Sequence, residues 1–288
     1  MNKIDLLKTR RAKLLEAGKD IRADISALTD DGSFVELDAY AFSHSDFYNE
    51  DAQGEGVVTG YATINDVPVY VVAQNINVLS GGVSKANCAK IKKCLDKALA
   101  GGKPVVYLFN SLGVRIGECV NVLEGLAEVI SASDDLKGEV PQFSIVKGEL
   151  YGSFALLAAN ADFNLMTKDA AVAYASPFVI SAKSDKNVDK TEVGGVKASK
   201  YNSVSTIEIA DIEDAKAKIA EILSILPVTA EIVTDTDDDL NRATESLDEK
   251  ICAGCLTKAV FDNGKFIEMN AEFRPEVKTG IGRIGGIS

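Results

Sequence analysis

The sequence predicts an α/β protein built from repeating units of strand, strand and helix. Apolar segments of strand length recur over residues 57–174, and several are followed by a glycine-bearing turn and a segment with apolar residues at helical spacing. Hydrophobic residues make up 46% of the 288 residues, which is enough to bury one large core. The glycines within residues 57–174 are not spaced as in the two common nucleotide-binding turns, G-x-G-x-x-G and G-x-x-x-x-G-K-[ST].

The N-terminal part of the chain is charged and precedes the repeating units. Residues 6–25 have helical periodicity and are rich in Lys and Arg, so we expect a helix there. A turn is expected at residues 29–33, a short strand at 34–37 and a polar loop at 42–54. Residues 1–20 lack the apolar centre of a signal peptide, and no apolar run is long enough to span a bilayer.

The repeating part begins with a predicted hairpin and continues with two units of strand, turn and helix. The hairpin has strands at residues 57–64 and 69–73, the second apolar enough to be buried on both faces. A helix is expected at 84–99, ended by Gly101 and Gly102. The next two units are expected as strand 105–109, turn 110–114 and helix 118–131, then strand 143–146, turn 148–153 and helix 154–161.

The remaining segments are less regular. Short strands are expected at residues 164–167 and 171–174, followed by a Lys-rich loop at 181–200. The last predictions are a helix at 212–226 ended by Pro227, an acidic linker or helix start at 235–240 and a helix at 249–261.

Composition excludes several classes of partner and cofactor. The formal net charge of −12 repels nucleic acid and anionic membranes, so we predict neither as a partner. Five cysteines without a disulfide framework predict reduced thiols in a cytoplasmic protein. The single C-x-x-C pair, Cys252 and Cys255, has no second ligand pair nearby, and we predict no metal site.

The only histidine, His44, limits side-chain catalysis. It lies in a polar segment beside Ser45 and Asp46, so a Ser-His-Asp or Cys-His site would depend on a residue predicted to be exposed. A metal site with several histidines is excluded by the same count. Paired carboxylates are allowed by residue number, but no pocket-forming pattern points to a pair.

Two glycine-bearing turns offer backbone chemistry instead. One contains Gly113, and the other contains Gly148 and Gly152. Amides at a helix start have no intrahelical acceptor, and the helix dipole favours negative charge there. Two such turns that converge would form an oxyanion hole, in which one donor contributes about 3 to 4 kcal/mol of transition-state stabilisation. The alternative is that these glycines only allow strand-to-helix turns.

Several segments, in order along residues 31–226, resemble the carboxyltransferase subunits of propionyl-CoA carboxylase and its relatives. Gly113-Val114-Arg115-Ile116 is similar to the Gly-Ala-Arg-Ile turn of that family, and residues 192–195 are similar to its Glu-Leu-Gly-Gly element. The other similar segments are residues 31–38, 54–65, 69–71, 81–84, 89–99 and 141–152.

This resemblance implies an α/β crotonase-like (ClpP/crotonase) fold of stacked ββα units, and binding of an acyl-CoA thioester. It also implies transfer of a carboxyl group between the α-carbon of the thioester and biotin, with backbone amides holding the enolate. The amides implied at the oxyanion positions are those of Gly113, Val114, Gly152 and Ser153. The implied acyl-CoA or biotin pocket contains Gly81, Gly82, Ser84, Arg115 and Gly148.

Two positions depart from the family pattern. The family turn reads Asp-Ser-Gly-Gly-Ala-Arg, whereas Leu112 stands before Gly113 here and would be strained at a positive φ. The second Gly-Gly pair of the family is Gly152-Ser153 in this chain. Both replacements keep an amide donor. The valine at Val114 is also found in malonate decarboxylase subunits, so a subunit of that type is an alternative.

Family members have two related domains, and the second barely begins here. We expect an N-terminal helical segment at residues 1–30, a crotonase-like N-terminal carboxyltransferase domain at 31–230, and a linker with the opening segment of a C-terminal half at 231–288. A separate chain is expected to supply the C-terminal half and to form an oligomer with this one. No Met-Lys-Met biotinylation sequence is present, so biotin would arrive on a carrier protein.

Two further alternatives remain at this stage. A hydratase or thioester hydrolase of crotonase type would need a carboxylate in the pocket, and Glu118 and Glu149 are the candidates near the two turns. Glu118 fits better as a residue of the first turn of a helix. A non-catalytic, drifted CoA-binding assembly subunit would be consistent with Leu112 and Ser153.

Overall fold

The structure, a computed structural model, describes residues 2–202, 204–227, 236–239, 241, 252–271 and 273–288. Their strands are β1 (Val35–Leu37), β2 (Phe42–Ser45), β3 (Glu50–Gln53), β4 (Val57–Ile64), β5 (Val67–Gln74), β6 (Val105–Ser111), β7 (Gln142–Tyr151), β8 (Phe163–Thr167), β9 (Ala171–Ala173), β10 (Ile207–Ile209), β11 (Phe266–Met269) and β12 (Thr279–Gly282). Their helices are α1 (Lys3–Ala17), α2 (Lys19–Leu28), α3 (Lys85–Gly101), α4 (Val120–Asp135), α5 (Ser153–Asn160), α6 (Pro177–Ser184), α7 (Lys190–Gly194), α8 (Val196–Tyr201), α9 (Ile212–Ile225) and α10 (Ala253–Val260).

The central sheet has the strand order β1-β4-β5-β6-β7-β8-β10, and β9 pairs with the end of β7. β4 is antiparallel to β1 and β5, whereas β5, β6, β7, β8 and β10 run parallel to one another. In the register of β6 and β7, Ser111 lies beside Leu150. Parallel strands bring their carboxyl ends to one edge of a sheet, so the turns that follow β6 and β7 lie together.

Helices cover both faces of the sheet, and each face has its own core. On one face, α3, α4 and α5 cover Tyr107 and Phe109, whose rings stack 5.1 Å apart. On the other face, α2 and α9 cover Phe143 and Phe163, whose ring centroids are 4.9 Å apart. Burial of one side chain of this size contributes about 1.5 to 3 kcal/mol. The central strands are apolar on both sides because both of their faces are covered.

Helix α3, which leads away from the candidate site, is set by local sequence signals. The Ser84 hydroxyl accepts a hydrogen bond from Asn87 N at 2.9 Å and caps the helix start. Ile91 and Leu95, one turn apart, are fully buried. The helix ends at Gly102, whose φ is 57°. The helix predicted at residues 84–99 is therefore confirmed.

Most other predicted elements of the sheet and its helices are confirmed. β4 spans the predicted residues 57–64, and the predicted strands around β1, β5, β6, β8 and β9 are present. The predicted helices that correspond to α4, α5 and α9 are present as well. The N-terminal helix expected at residues 6–25 is two helices, α1 and α2, which meet at Gly18.

The polar loop expected at residues 42–54 is wrong, because most of these residues form the antiparallel hairpin of β2 and β3. His44 lies opposite Asp51 across the hairpin, and its Nδ1 is 2.9 Å from Asp51 Oδ1. Ala52 is fully buried. Polar pairs hold this hairpin, so its residues lack the apolar alternation by which a strand is recognised in a sequence.

The Lys-rich loop expected at residues 181–200 is also wrong. The segment contains the end of α6, all of α7 and all but the last residue of α8. Ser176 caps α6 with Pro177 in its first turn, and Asp189 accepts a hydrogen bond from Thr191 N at 2.8 Å to cap α7. Caps of this kind are helix-start signals, and the charged composition concealed them.

The turn expected at residues 148–153 is wrong for most of its length, because β7 continues to Tyr151. Gly148 lies inside β7, where a Cβ atom would be 2.8 Å from Asn110 Oδ1. The absence of a side chain at Gly148 therefore leaves room for the Asn110 side chain. The turn itself reduces to Gly152, directly before α5.

The cysteines correct another prediction, since Cys252 and Cys255 form a disulfide where we expected reduced thiols. The C-x-x-C spacing at the start of α10 places their Cα atoms 5.2 Å apart, within the range that a disulfide spans. Cys88 and Cys94 are free and buried, and burial raises the pKa of both thiols to about 12. Cys119 is free and exposed. The described residues contain no group of three side chains able to hold a metal ion.

The C-terminal residues form an antiparallel hairpin of β11 and β12 that packs on the core beneath α9 through Ile267 and Ile281. Residues 280–285 have the spacing G-x-G-x-x-G, but β12 leads into a further turn instead of a helix, so this is no dinucleotide-binding turn. Part of the helix expected at 249–261 is α10, and residues 249–251 lie outside the described residues, as do 235 and 240 of the acidic segment. None of the described helices has the length and hydropathy of a membrane span.

Candidate active site

The first glycine-bearing turn follows β6 and presents one unpaired amide. Val83 N donates to the Gly113 carbonyl at 2.9 Å, and Arg115 N donates to the Val83 carbonyl at 2.9 Å. Val83 and Val114 thus form a parallel bridge, in which the N–H of Val114 points away from Val83. No acceptor among the described residues bonds to this amide. The N–H of Gly113, by contrast, lies 3.3 Å from Ser111 Oγ.

The second turn is Gly152, between β7 and α5. Its N–H donates to the Ala173 carbonyl at 3.1 Å and is therefore engaged. Its φ of 81° and ψ of −147° are accessible to glycine and strained for other residues. Helix α5 begins at Ser153 without a side-chain cap, so the amides of Ser153 and Phe154 have no acceptor in the described part of the chain.

The two turns meet at the carboxyl edge of the sheet. A Cβ atom built on Gly152 would lie 3.6 Å from Gly113 Cα, and it would contact no other described residue beyond its chain neighbours. A Cβ atom on Gly113, whose φ is 127°, would contact nothing within 4 Å. Open space therefore lies beside both glycines, and each glycine is followed by a residue with a free amide. Free amide donors beside open space are one requirement of an oxyanion hole.

The strain expected at Leu112 does not occur. Leu112 is not among the residues with positive φ, and the left-handed conformation falls on Gly113 instead. The N–H of Leu112 donates to the Ser80 carbonyl at 3.1 Å, and its side chain is half-exposed. The replacement of a family glycine by leucine at this position is therefore compatible with the turn.

The predicted pocket residues fall into two groups. Gly82 and Arg115 line a cavity of about 230 Å³ beside the first turn, together with Leu79, Ser80, Leu112, Gly113, Val114, Tyr48 and Glu50. Ser84 is fully buried as the cap of α3, and Gly148 is covered by Asn110. Gly81 packs directly against the Asn110 carbonyl. Of the predicted pocket residues, Gly82 and Arg115 therefore share a cavity with the first turn.

A buried ion pair lies beneath the first turn. Arg115 Nη1 is 2.9 Å from Glu55 Oε2, and the two side chains are 2% and 3% exposed. Lys90 is buried nearby and donates to the carbonyls of Gly54 at 3.1 Å and Val57 at 2.6 Å. Burial lowers the pKa of Lys90 to about 8. Charges placed this deep require specific partners, so the region beneath the turn is built with defined contacts.

Sequence reasoning missed Glu55 and Lys90 as parts of this region. The available signal was a charged residue between two glycines, Gly54 and Gly56, directly before an apolar strand. A carboxylate next to a buried apolar strand is costly unless a cation pairs with it. The position of Glu55 therefore points to a buried cation supplied by another segment.

Apolar side chains around the two turns are exposed to an unusual degree. Ile116 in the turn before α4, with Val120 and Leu123 at the start of α4, make up what we call the exposed stripe, and these residues are 69%, 73% and 63% exposed. Leu156 on α5 and Phe178 on α6 are 51% and 82% exposed. Clusters of exposed apolar residues beside a site are typical of surfaces that another chain or domain covers.

Comparison with known proteins places the site in a family. The model of the carboxyl transferase domain matches residues 15–288. The chain belongs to the carboxyl transferase family. The propionyl-CoA carboxylase beta chain of Roseobacter denitrificans is 32% identical to this carboxyl transferase chain, over 92% of the chain and 55% of the relative. The methylmalonyl-CoA decarboxylase subunit alpha of Veillonella parvula is 30% identical, over 99% of the chain and 62% of the relative.

The carboxyl transferase chain thus spans slightly more than half the length of these curated relatives. Solved carboxyltransferase structures share its fold. Transcarboxylase 12S, a hexamer assembly with methylmalonyl-coenzyme A and methylmalonic acid bound, is similar with a TM-score of 0.86 at 25% identity, over 98% of this chain and 61% of that one. The predicted crotonase-like fold is confirmed. A Pseudomonas malonate decarboxylase hetero-tetramer is similar in fold over 72% of this chain, with a TM-score of 0.66 at 22% identity.

Proposed function

We propose that this chain is the acyl-CoA-binding half of a biotin-dependent carboxyltransferase, and that the amides of Val114 and Ser153 hold the enolate of the thioester. The observation that carries the proposal is the meeting of the two turns, with open space beside both glycines and a free amide after each. A thioester oxygen gains negative charge when the α-carbon loses a proton or a carboxyl group. Two fixed amide donors stabilise that charge without any proton transfer from a side chain.

The chain's own part in this reaction is to orient the thioester and stabilise charge. The start of α5 adds the positive end of a helix dipole beside the amide of Ser153. The two nearby carboxylates are engaged elsewhere, because Glu118 Oε2 accepts from Lys85 N at 2.9 Å and Glu149 lies 3.8 Å from Lys190 Nζ. These contacts favour backbone catalysis over a hydratase or hydrolase mechanism.

Biotin on a carrier protein supplies or accepts the carboxyl group when it is bound. Its ureido oxygen is an acceptor of the same kind as the thioester oxygen, so free amides of this type fit either substrate. The amides of Gly113 and Gly152 are engaged within the chain, at 3.3 Å and 3.1 Å from their acceptors. Among the described residues of the two turns, the amides of Val114, Ser153 and Phe154 have no acceptor. We assign the amides of Val114 and Ser153 to the thioester, and we assign the donors for biotin to a second half.

The proposed partner is a second, C-terminal carboxyltransferase half that covers the exposed stripe of Ile116, Val120 and Leu123. The match covers 55% and 62% of the two relatives, so more than a third of each lies outside it, which supports a second half. In this proposal residues 31–230 are the N-terminal domain and residues 231–288 link it to the C-terminal half. A cytoplasmic location is part of the proposal and is supported by the free thiols of Cys88, Cys94 and Cys119, whereas the disulfide of Cys252 and Cys255 is the exception.

The decisive experiment is carboxyl exchange in the assembled protein. We expect the chain, co-expressed with a candidate C-terminal half, to exchange labelled carboxyl between methylmalonyl-CoA or malonyl-CoA and free biotin, with little exchange by either half alone. Exchange with free malonate instead would favour a malonate-decarboxylase-type subunit. Tight CoA binding without any exchange in the complex would overturn the catalytic proposal and leave a CoA-binding assembly subunit.

The docking surface has its own test. Leu123→Asp places a charge in the exposed stripe and should abolish co-purification of the two halves. Val277→Asp changes a similarly exposed residue, 57% accessible, outside the stripe and should leave co-purification intact. Equal behaviour of the two variants would contradict the proposed surface.

A further inference from the structure

Arg115 directly follows the free amide of Val114 and is buried beneath the turn. Its Nε donates to the Gly82 carbonyl at 3.1 Å. Its Nη1 donates to Glu55 Oε2 at 2.9 Å, and its Nη2 donates to the Glu55 carbonyl at 3.0 Å. All three nitrogens of the guanidinium are thus bonded within the protein. A guanidinium held in this way is placed to orient backbone, and the family resemblance had suggested a place in the ligand pocket instead.

Arg115 connects two short turns with an unusual backbone. Residues 54–56 have φ angles of 59°, 58° and 69°, and residues 79–81 have φ angles of 47°, 55° and 64°. Successive left-handed residues are unfavourable when they carry side chains, and they persist where surrounding contacts hold them. Arg115 supplies such a contact to both turns, through the carbonyl of Glu55 and through the carbonyl of Gly82, which follows the second turn.

The left-handed turn at residues 79–81, with Val83 that follows it, holds the backbone on both sides of the free Val114 amide. The Ser80 carbonyl accepts the N–H of Leu112 at 3.1 Å, before the amide. Val83 bonds to Gly113 and to Arg115 at 2.9 Å each, so it holds the residues on either side of Val114. The direction of the Val114 N–H therefore depends on where residues 79–83 lie, and Arg115 holds that segment through Gly82.

Glu55 is tied to helix α3 as well as to Arg115. The Glu55 carbonyl accepts a hydrogen bond from Asn87 Nδ2 at 2.9 Å, and Glu55 Oε2 lies 3.4 Å from Ser84 Oγ. Both partners lie at the start of α3 and are fully buried. The guanidinium of Arg115 therefore links the turn that carries the Val114 amide, through Glu55, to helix α3.

We propose that Arg115 and Glu55 are positioning residues, which fix the direction of the Val114 amide through hydrogen bonds within the protein. This inference rests on the proposed function, in which that amide binds the thioester oxygen. A donor displaced by about 1 Å loses on the order of a hundredfold in rate, whereas ground-state binding of CoA depends on other contacts. The role predicts a loss in kcat without a matching rise in KM.

The kinetic test uses Arg115→Lys and Glu55→Gln in the assembled complex. We expect kcat to fall by roughly tenfold to a hundredfold, with KM for the acyl-CoA and the affinity for free CoA within about twofold of the wild type. Arg22→Lys is the matched control, since Arg22 forms a two-point pair with Glu36 at 2.7 and 3.0 Å. Wild-type kcat in Arg115→Lys, or a loss confined to KM and CoA affinity, overturns the proposal.

Amide hydrogen exchange tests the positioning role of Arg115 and Glu55 without any measurement of activity. In the chain alone, Arg115→Lys or Glu55→Gln should speed exchange of the Leu112 and Arg115 amides, which bond to Ser80 and Val83. Arg22→Lys should leave them unchanged. Unchanged exchange in the first two variants overturns the positioning role, whether or not the complex is active. If the wild-type complex transfers no carboxyl but these amides respond, the proposed function alone fails. Glu55→Gln has the shape of the native residue, so it decides the question if Arg115→Lys does not fold.

Discussion

The two turns of the candidate site hold an amide in place by different means. Around the first turn, Arg115, Glu55 and Val83 supply hydrogen bonds and a buried ion pair. The second turn depends on the conformation of Gly152, one hydrogen bond to the Ala173 carbonyl and the start of α5. The comparison shows that an amide donor is oriented either by many buried side-chain contacts or by a single backbone conformation.

Because of this difference, we expect changes in the two turns to have different effects on stability and on the reaction. Buried charges make the first turn part of the folded core, so removal of a charge there should lower stability in addition to any effect on kcat. The second turn is local, so a change there should alter the reaction or the backbone of one residue.

Removal of Glu55 should have the largest effect, on the first turn. Glu55→Ala leaves the Arg115 charge buried without its partner, which should cost about 3 to 5 kcal/mol of unfolding free energy in chemical denaturation. Glu118→Gln is the control, because Glu118 is 3.7 Å from the same guanidinium but its side chain is 32% exposed. That variant should lose less than about 1 kcal/mol. Similar losses in both would remove the distinction between the turns.

Removal of one amide should have the next largest effect, on the second turn. Ser153→Pro deletes the N–H of the first residue of α5, a position that accepts proline. We expect kcat of the assembled enzyme to fall about a hundredfold to a thousandfold, or about 3 to 4 kcal/mol, with the melting temperature little changed. Ser153→Ala keeps the N–H and should retain activity. If alanine is as damaging as proline, the hydroxyl and not the amide matters.

Addition of a side chain at Gly152 should have an intermediate effect on stability. Gly152→Ala must adopt φ 81° and ψ −147°, which should cost about 1 to 3 kcal/mol in thermal or chemical unfolding. Gly102→Ala is the control, because Gly102 has the milder left-handed values of φ 57° and ψ 43° and no neighbour within 4 Å of a new Cβ atom. An equal or larger loss at Gly102 would mean that the backbone of Gly152 is not specially constrained.

The smallest effect is a pH dependence that belongs to the first turn. Lys90 has a pKa of about 8 in the folded chain and 10.5 ordinarily, so between these values the folded state binds fewer protons than the unfolded state. Stability should therefore rise with pH above about 8 in the wild type relative to Lys90→Met. Urea unfolding of both proteins at pH about 7 and about 9.5 measures this difference. A difference that does not change with pH would show that Lys90 keeps its ordinary pKa.

The sequence was sufficient to locate both turns, because each combines a glycine with a buried strand before it and a helix after it. It was not sufficient to show which amides are free. The N–H of Gly152 bonds to the carbonyl of Ala173. The chain between these two residues forms α5, β8 and most of β9, so this bond depends on the tertiary structure. The free amide of Val114 likewise depends on pairing with Val83, from a different unit.

The elements that were predicted wrongly have a common physical cause. The hairpin of β2 and β3 contains the polar cross-strand pair of His44 with Asp51, and helices α6, α7 and α8 are only 8, 5 and 6 residues long. Apolar periodicity, which identified β4 and α3, carries no signal in such segments. Ser176 and Asp189 did carry a signal as helix caps, and greater emphasis on caps would have found α6 and α7.

The free amide at Ser153 has a consequence for how this protein can diverge. The donor is a peptide group, so every replacement of Ser153 other than proline retains it. Replacements of Ser153 other than proline can therefore change the size and polarity of the side chain at the start of α5 while the donor is retained. Under the proposed function, the sequence at this position is free to vary without loss of the amide that stabilises the enolate.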